Sequence, residues 1–166
     1  MISKMWKAII LWCCNTVFVG THFFKVKRIL LNTCKGVKVG YGTCIVTPIR
    51  IPVVSTLSIG DHCWINRDFT LEGNGKVIIG NKCDLAPTVT MTTGSHQIGD
   101  ANRRAGQGFS GEIIVGDGCW LGNRSLILPN VHVGKGVIVA AGAVVTKNIS
   151  DNILVGGVPA KYLHDL

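Results

Sequence analysis

The residue of this chain best suited to acid–base chemistry is His96, which stands at the edge of an irregular segment, residues 97–114. A histidine side chain titrates near neutral pH, so it can take a proton from a hydroxyl group while a new bond forms. The competing interpretation is a surface histidine at a turn. His62, His132 and His164 lack a comparable context and are predicted to be surface residues.

The irregular segment interrupts a six-residue period that governs most of the chain. The first position of each hexad is aliphatic or methionine: Val39, Ile45, Ile51, Ile59, Ile65, Leu71, Ile79, Leu85, Met91, Val115, Leu121, Ile127, Val133, Val139 and Val145. Small residues recur at the fifth position: Thr43, Ser55, Cys63, Cys83, Ser95, Cys119, Ser125 and Ala143. An α-helix cannot keep a period of six on one face, because it has 3.6 residues per turn. A coil of three short strands with small residues at its corners satisfies the pattern.

The period predicts an all-β domain of five stacked coils, residues 39–56, 59–76, 79–96, 115–132 and 133–150. At about 4.8 Å per layer they form a prism roughly 24 Å tall, with one aliphatic column inside. The predicted organisation is an apolar and basic helical segment, residues 1–36, followed by the β-helix domain, residues 37–166. Residues 97–114 form an excursion loop from that domain.

The seven cysteines are an odd number and include no CxxC pair. They are predicted to be small buried side chains in a reducing cytoplasm, without a disulfide framework or a zinc site. A length of 166 residues, 47% of them apolar, suits one domain with one core.

The net charge of +8 is unevenly placed, because no acidic residue precedes Asp61. Residues 1–31 are predicted to be helical near their start, with Met5, Ile9, Trp12 and Cys13 on one face that packs on the domain or on a neighbouring subunit. The apolar run is too short to span a bilayer, and no convincing signal-peptide cleavage site follows it.

This N-terminal segment has two predicted roles. Mainly it caps the first coil, whose end would otherwise expose apolar side chains and an unpaired strand edge. Secondarily it brings the protein to a membrane surface through the basic residues Lys4, Lys7, Lys25, Lys27 and Arg28. Nucleic acid is not a predicted partner.

Two stretches carry a resemblance to a known family. VGDGCWLGNRSLILPNVHVGKGVIVAAGAVVTKNI (115–149) and VGGVPAKYL (155–163) resemble the carboxyl half of the maltose, galactoside and nodulation-factor acetyltransferases, which are hexapeptide-repeat acyltransferases. The resemblance implies a left-handed parallel β-helix, a homotrimer, and acetyl-CoA as co-substrate without a metal. It also implies an active site between two subunits, in which the histidine before the protruding loop, here His96, is the general base.

The same resemblance assigns residues to acetyl-CoA: Trp120, Asn123, Ala141, Thr146, Lys147 and Lys161. Asn123 would stabilise the oxyanion through its backbone N–H, and Trp120 would lie along the pantetheine arm. The two lysines would meet phosphate groups, with an ordinary solvated charge as the alternative for each.

The residues that would bind the acceptor match those of the resembling enzymes only in part. Asn66 stands where the maltose and galactoside enzymes have a substrate-binding asparagine, whereas Asn74 replaces their substrate-binding aspartate, so their acceptor is not implied. Arg103 and Arg104 on the loop could meet an anionic acceptor or the phosphates of the cofactor. The predicted function is acetyl transfer to a saccharide hydroxyl, in surface polysaccharide biosynthesis, in the cytoplasm at the inner face of the membrane.

Three alternatives remain open at this point. A serine acetyltransferase shares the fold but carries a sizeable helical N-terminal domain, for which residues 1–36 are too few. A γ-type carbonic anhydrase needs three convergent histidines, and His62, His96 and His132 fall at different positions of the repeat. A non-catalytic β-helix scaffold leaves the loop beside His96 unexplained.

Overall fold

In a computed structural model that describes all 166 residues, the six-residue period forms a parallel β-helix with three sheets. The first sheet contains β1 (Val37–Val39), β4 (Thr56–Ile59), β7 (Lys76–Ile79), β12 (Glu112–Val115) and β15 (His132–Val133). The second contains β2 (Cys44–Ile45), β5 (Trp64–Ile65), β8 (Asp84–Leu85), β13 (Trp120–Leu121), β16 (Ile138–Val139), β18 (Ile153–Gly156) and β19 (Lys161–Asp165). The third contains β3 (Ile49–Arg50), β6 (Phe69–Glu72), β9 (Thr90–Thr92), β14 (Leu126–Ile127) and β17 (Val144–Val145).

The interior is the aliphatic column that the sequence predicted. All fifteen first-position residues are buried, none of them more than 6% exposed. Each stacks on its equivalent in the next coil, as Ile65 pairs with Leu85 and Leu85 with Leu121. The predicted small corner residues are also buried, except Ser95, which lies outside the stack.

Five coils are complete, and a partial sixth follows them. Ile149 forms an isolated bridge with Val133, and β18 pairs in parallel with β16. The chain then reverses, and β19 pairs antiparallel with β18. The sixth layer, which the hexad count did not include, covers the upper end of the column.

Two helices, α1 (Ile2–Thr16) and α2 (Phe24–Asn32), cover the lower end. The Asn15 amide donates to Ile49 O (2.8 Å) and its oxygen accepts from Ile49 N (3.0 Å), so the open edge of β3 is satisfied. Asn32 makes the same pair of bonds with Val39 on β1, at 2.9 and 2.8 Å. The helices thus complete the hydrogen bonds of the first coil. Neither has the length and apolar character needed to cross a bilayer.

The face on which α1 packs differs from the predicted one. Lys7, Ile10, Leu11 and Cys14 are buried, whereas Met5, Ile9 and Trp12 point outward and Cys13 is half-buried. Both sides of this helix are apolar, so periodicity could not decide which of them would meet the coil.

Two of the basic residues predicted to reach a membrane are inside the cap. Lys7 Nζ donates to Ser55 O (2.8 Å) and Lys27 Nζ to Gly20 O (2.7 Å), and both residues are at most 1% exposed. Burial lowers the pKa of both amines. The prediction was therefore wrong for Lys7 and Lys27, because long apolar stems allowed them to reach unpaired carbonyls in the interior.

The interruption of the third coil is a β-hairpin. Strands β10 (Gly94–Ile98) and β11 (Ala105–Ser110) pair antiparallel, with an irregularity between His96 and Ile98. The hairpin starts before the predicted loop 97–114 and ends earlier, since Glu112–Val115 already belongs to the first sheet as β12. His96 consequently lies within the first strand of the hairpin.

Candidate functional site

The hairpin leaves the stack at the corner where the chain passes from the third sheet to the first, and Thr93 anchors it there. Thr93 Oγ1 donates to Glu72 O (2.8 Å) and accepts from Gly75 N (3.0 Å), while Thr93 O accepts from Gly111 N (2.6 Å). The Thr93 side chain is fully buried. These bonds join the two ends of the hairpin to the second coil, so its base has the rigidity of the stack.

His96 faces a pocket formed by the base of the hairpin. It pairs with Gly108, and a methyl group at that glycine would lie 3.6 Å from His96 Nε2. The pocket has a volume of about 400 Å³ and is lined by Asn74, Gly94, Ser95, His96, Gly108, Phe109 and Ser110. Among the five histidines only His164 uses a ring nitrogen in a hydrogen bond, to Asp165 O at 2.6 Å. The His96 ring is exposed, and neither of its nitrogens has a hydrogen-bond partner within the chain.

Asn74 shares this pocket with His96 and is held by the hairpin. The Ser110 hydroxyl donates to the Asn74 side-chain oxygen, which leaves the Asn74 amide nitrogen free as a donor. Neither Ser110 nor Thr93 was predicted as a site residue, because a single serine or threonine beside glycine gives no signal of its own. We call this region, residues 73–75, 93–96 and 108–111, the His96 corner.

Arg103 lies at the tip of the hairpin, away from the lining of the pocket. The Asp100 carboxylate accepts from the backbone N–H groups of Asn102 (2.9 Å) and Arg103 (3.1 Å), which fixes the turn. The Arg104 guanidinium donates to Gly99 O at 3.4 Å. The Arg103 side chain makes no such contact and is exposed.

A second constellation lies at the corner between the second and third sheets, residues 122–124 and 140–142, which we call the Asn123 corner. Asn123 O accepts from Gly142 N (2.8 Å) and its side-chain amide donates to Pro87 O (2.9 Å). Its backbone N–H has no acceptor within the chain, so it is free to bind a ligand oxygen.

The Asn123 corner is closely packed, which explains its glycine. A Cβ at Gly122 would lie 2.6 Å from Ala141 N and 2.7 Å from Val139 O, closer than real contacts allow. Ala141 follows in the next coil with an exposed methyl group, and Trp120, 54% exposed, points outward from β13 beside them. The small residues Gly122 and Ala141 therefore leave the backbone of this corner accessible beside the Trp120 side chain.

The remaining predicted residues divide between the two corners. Thr146 and Lys147 follow β17 on the side of the His96 corner, two coils further along the prism, and both are exposed. Lys161 begins β19 in the second sheet opposite Gly156, and Asn66 follows β5 two coils below Asn123. Within a single subunit, Asn74 therefore lies in the same pocket as His96, whereas Asn66 and Asn123 lie on the side of the other corner.

The other histidines are scattered. His62 packs edge-on against Tyr41, with ring centroids 5.6 Å apart, and His132 points outward from β15. No three His, Cys, Asp or Glu side chains come together in an arrangement that could hold a metal ion.

Known proteins that resemble this chain are hexapeptide-repeat transferases and acetyltransferases. The family model described as bacterial transferase hexapeptide (six repeats) matches residues 112–147. The chain is 30% identical over 142 residues to a putative acetyltransferase of Saccharomyces cerevisiae, which covers 86% of the chain and 70% of the relative. It is 29% identical over 141 residues to a putative colanic acid biosynthesis acetyltransferase of Escherichia coli, which covers 83% and 74%.

A galactoside O-acetyltransferase of Escherichia coli is 29% identical over 128 residues, or 77% of the chain. The chain spans only 63% of that relative's length. Among solved structures, a hexapeptide-repeat acetyltransferase of Vibrio cholerae complexed with acetyl-CoA superposes with a TM-score of 0.87 at 25% identity, over 99% of the chain and 87% of that structure. This superposition confirms the predicted left-handed parallel β-helix.

Proposed function

We propose that this chain, which belongs to the hexapeptide-repeat acetyltransferases, is an acyltransferase that moves an acetyl group from acetyl-CoA to a saccharide hydroxyl, with His96 as the general base. The observation that carries the proposal is the free His96 imidazole, which a rigidly anchored hairpin holds over a polar pocket. The pocket is large enough for a sugar ring.

In the proposed reaction, the His96 imidazole takes the proton of the acceptor hydroxyl as its oxygen attacks the thioester carbonyl. The carbonyl oxygen becomes an oxyanion, which the backbone N–H of Asn123 stabilises. Collapse of the tetrahedral intermediate breaks the carbon–sulfur bond. The imidazolium returns its proton to the leaving sulfur, so the products are the acetyl ester and free CoA.

The remaining contacts with acetyl-CoA are proposals that follow from the family. Trp120 and Ala141 would line the pantetheine arm next to Asn123, since both are exposed at or beside that corner. Lys147 and Lys161 would meet phosphate groups, and Thr146 would contact the cofactor beside Lys147. Both lysines are exposed and neither forms an ion pair within the chain, which suits that role.

The separation of the two corners supports a site shared between subunits of a homotrimer, in which His96 of one subunit meets Asn123 of the next. This arrangement can be tested by mixing two inactive variants, His96→Ala and Asn123→Pro, the second of which removes the backbone donor. Random trimers would regain about a quarter of wild-type activity, because that fraction of interfaces combines two intact halves. No recovery from two variants that each form trimers would contradict a shared site.

The acceptor is proposed to be a saccharide because Asn74, together with Asn66, offers amide groups for hydroxyls, and relatives act on galactosides or belong to colanic acid biosynthesis by name. Arg103 at the hairpin tip would contact a distal, anionic part of a longer acceptor. A role in surface polysaccharide biosynthesis, in the cytoplasm at the inner face of the membrane, stays a prediction.

The acceptor class is best tested by measuring CoA release from acetyl-CoA with monosaccharides, oligosaccharides, nucleotide sugars and serine. We expect the highest kcat/KM with an oligosaccharide or a nucleotide sugar, and little turnover with serine. Selective turnover of serine would instead identify a serine acetyltransferase. If no saccharide raised CoA release above the rate of acetyl-CoA hydrolysis without an acceptor, the proposed acceptor class would be contradicted.

A further inference from the structure

The N-terminal cap carries a second apolar surface that the rest of the chain does not cover. Opposite the packed face of α1, residues Ile2, Met5, Ile9 and Trp12 recur at spacings of three and four, and they are 78%, 59%, 46% and 62% exposed. A helix that is apolar all round is normally buried all round. Here only one side is buried, so the other side is suited to a further contact.

This surface continues onto α2. Trp6 Nε1 donates to Thr33 Oγ1 at 2.9 Å, so the Trp6 ring, 45% exposed, bridges the two helices. Ile29, one turn before Thr33, is 53% exposed. We call the exposed apolar side chains of Ile2, Met5, Trp6, Ile9, Trp12 and Ile29 the cap face.

Basic pockets flank the cap face. Lys4 and Lys35 line a pocket of about 400 Å³ at the start of α1, and neither is paired with an acid. Lys25 and Arg28 line a second pocket of about 300 Å³ at the start of α2, where the Arg28 guanidinium lies 5.5 Å from the Tyr41 ring centroid. None of these basic groups forms an ion pair, and the carboxylate beside the second pocket, that of Asp61, accepts from the backbone N–H of Tyr41 at 2.7 Å.

We propose that the cap face docks on the surface of an anionic lipid bilayer, with lipid phosphates in the two basic pockets. An interfacial helix buries its apolar face about 5–10 Å into the boundary between headgroups and acyl chains, with basic residues beside it and tryptophan at that depth. The cap has each of these parts. The basic contribution comes from Lys4, Lys25, Arg28 and Lys35, since Lys7 and Lys27 are buried within the cap.

Charge argues against a second copy of the chain as the occupant. Pairing of two cap faces would bring two basic rims together without any acidic partner, and such like-charge contacts oppose association. A bilayer rich in anionic lipid offers the opposite charge and an apolar layer in the same plane. Docking does not depend on acetyl transfer, so its failure would leave the proposed reaction untouched.

The experiment is co-sedimentation of the full chain with vesicles of phosphatidylcholine alone and with one-quarter phosphatidylglycerol, at 50 and 500 mM salt. Binding is expected at least about tenfold stronger with the anionic lipid at low salt, and weakened by high salt. Tryptophan fluorescence should shift to the blue on binding.

Two exposed variants separate the contributions. The double change Ile9→Asp with Trp12→Asp should abolish binding to both kinds of vesicle, and Lys4→Glu with Lys35→Glu should weaken binding to anionic vesicles at least about tenfold. Matched controls at the surface elsewhere, Leu166→Asp and Lys82→Glu, should bind like the wild type. All four variants should keep wild-type circular dichroism and CoA release with a water-soluble acceptor.

Negligible binding of the wild type to anionic vesicles at micromolar concentration would overturn the proposal. So would binding that the Ile9 and Trp12 changes leave unaltered. A third adverse outcome combines two results: the wild type does not bind vesicles, and the double variant has a lower mass than the wild type in analytical ultracentrifugation. It would make the cap face an interface between copies.

Discussion

The two corners that flank the third sheet present chemistry in opposite ways. At the Asn123 corner the coils are uninterrupted, and the accessible group is a backbone N–H in a place too tight for a Cβ at Gly122. At the His96 corner the coil opens into a hairpin, and the accessible groups are the side chains of His96 and Asn74. An uninterrupted coil can therefore hold a backbone N–H in a fixed direction. In this chain, the pocket that His96 and Asn74 face exists because a hairpin interrupts the coil.

The corners also differ in what holds them. The Asn123 corner follows β13, which pairs with β8 on one side and with β16 on the other. The hairpin has only its own two strands, an arrangement that is marginally stable alone, so it depends on Thr93 and Ser110 at its base. We expect substitutions at the two corners to separate accordingly.

The largest effect is expected from His96→Ala. Loss of the proposed general base should lower kcat by about two to four orders of magnitude, while leaving the affinity for CoA nearly unchanged, because the proposed partner of the imidazole is the acceptor hydroxyl. Steady-state kinetics and CoA titration measure both. The control is His132→Ala, an outward-facing histidine of the stack, which should stay within about twofold of wild type. A His96→Ala enzyme with more than about a tenth of wild-type kcat would exclude His96 as the base.

The closeness of packing at the Asn123 corner is tested by Gly122→Ala. The added methyl group meets backbone atoms that cannot move separately, so the free energy of unfolding should fall by about 1–3 kcal/mol and CoA affinity should fall with it. Urea unfolding and CoA titration are the measurements. Gly108→Ala is the matched change at the other corner, where the methyl group makes an ordinary contact and stability should change by less than about 0.5 kcal/mol. Equal losses would remove the distinction between the corners.

Thr93 tests whether the stack holds the hairpin. Thr93→Val keeps the shape but leaves Gly75 N–H without its acceptor, which should cost about 1–2 kcal/mol. Amide hydrogen exchange should accelerate in residues 94–110 more than in the fourth and fifth coils, and kcat should fall with KM for acetyl-CoA unchanged. Thr93→Ser retains the hydroxyl and should restore both. Uniform acceleration over the whole chain would show a general loss of stability instead.

The smallest effect is expected from Ser110→Ala. The hydroxyl positions the Asn74 side chain, and the loss of one such bond, about 0.5–1.5 kcal/mol, should raise KM for the acceptor about two- to tenfold. KM for acetyl-CoA should not change, because its proposed contacts lie at other positions. Initial-rate kinetics with each substrate varied in turn give the comparison, with Ser58→Ala on the first sheet as the control. A rise confined to KM for acetyl-CoA would show that Ser110 affects the binding of acetyl-CoA and not that of the acceptor.

Much of the scaffold was predictable because its rule is local and repeated. The fifteen aliphatic positions predicted to face inward all do, since each coil turns after the same number of residues and stacks on an equivalent coil. The end of the repeat at Ser95 likewise marked the departure of the hairpin. Its paired strands were not predicted, because their glycine-rich sequence has no alternation of apolar and polar residues.

The β-helix, the column inside it and the histidine beside the interruption follow from period and residue type, so they could be predicted from the sequence alone. The environment of groups that could satisfy two roles depended instead on contacts between distant parts of the chain. Lys7 could have faced solvent, but Ser55 O, forty-eight residues away in sequence, supplies its acceptor inside the cap. The apolar stripe with Met5 and Ile9 could have met the coil, but the opposite stripe does. Such choices depend on which surfaces meet across the fold, and a pattern within one helix contains no information about its partner.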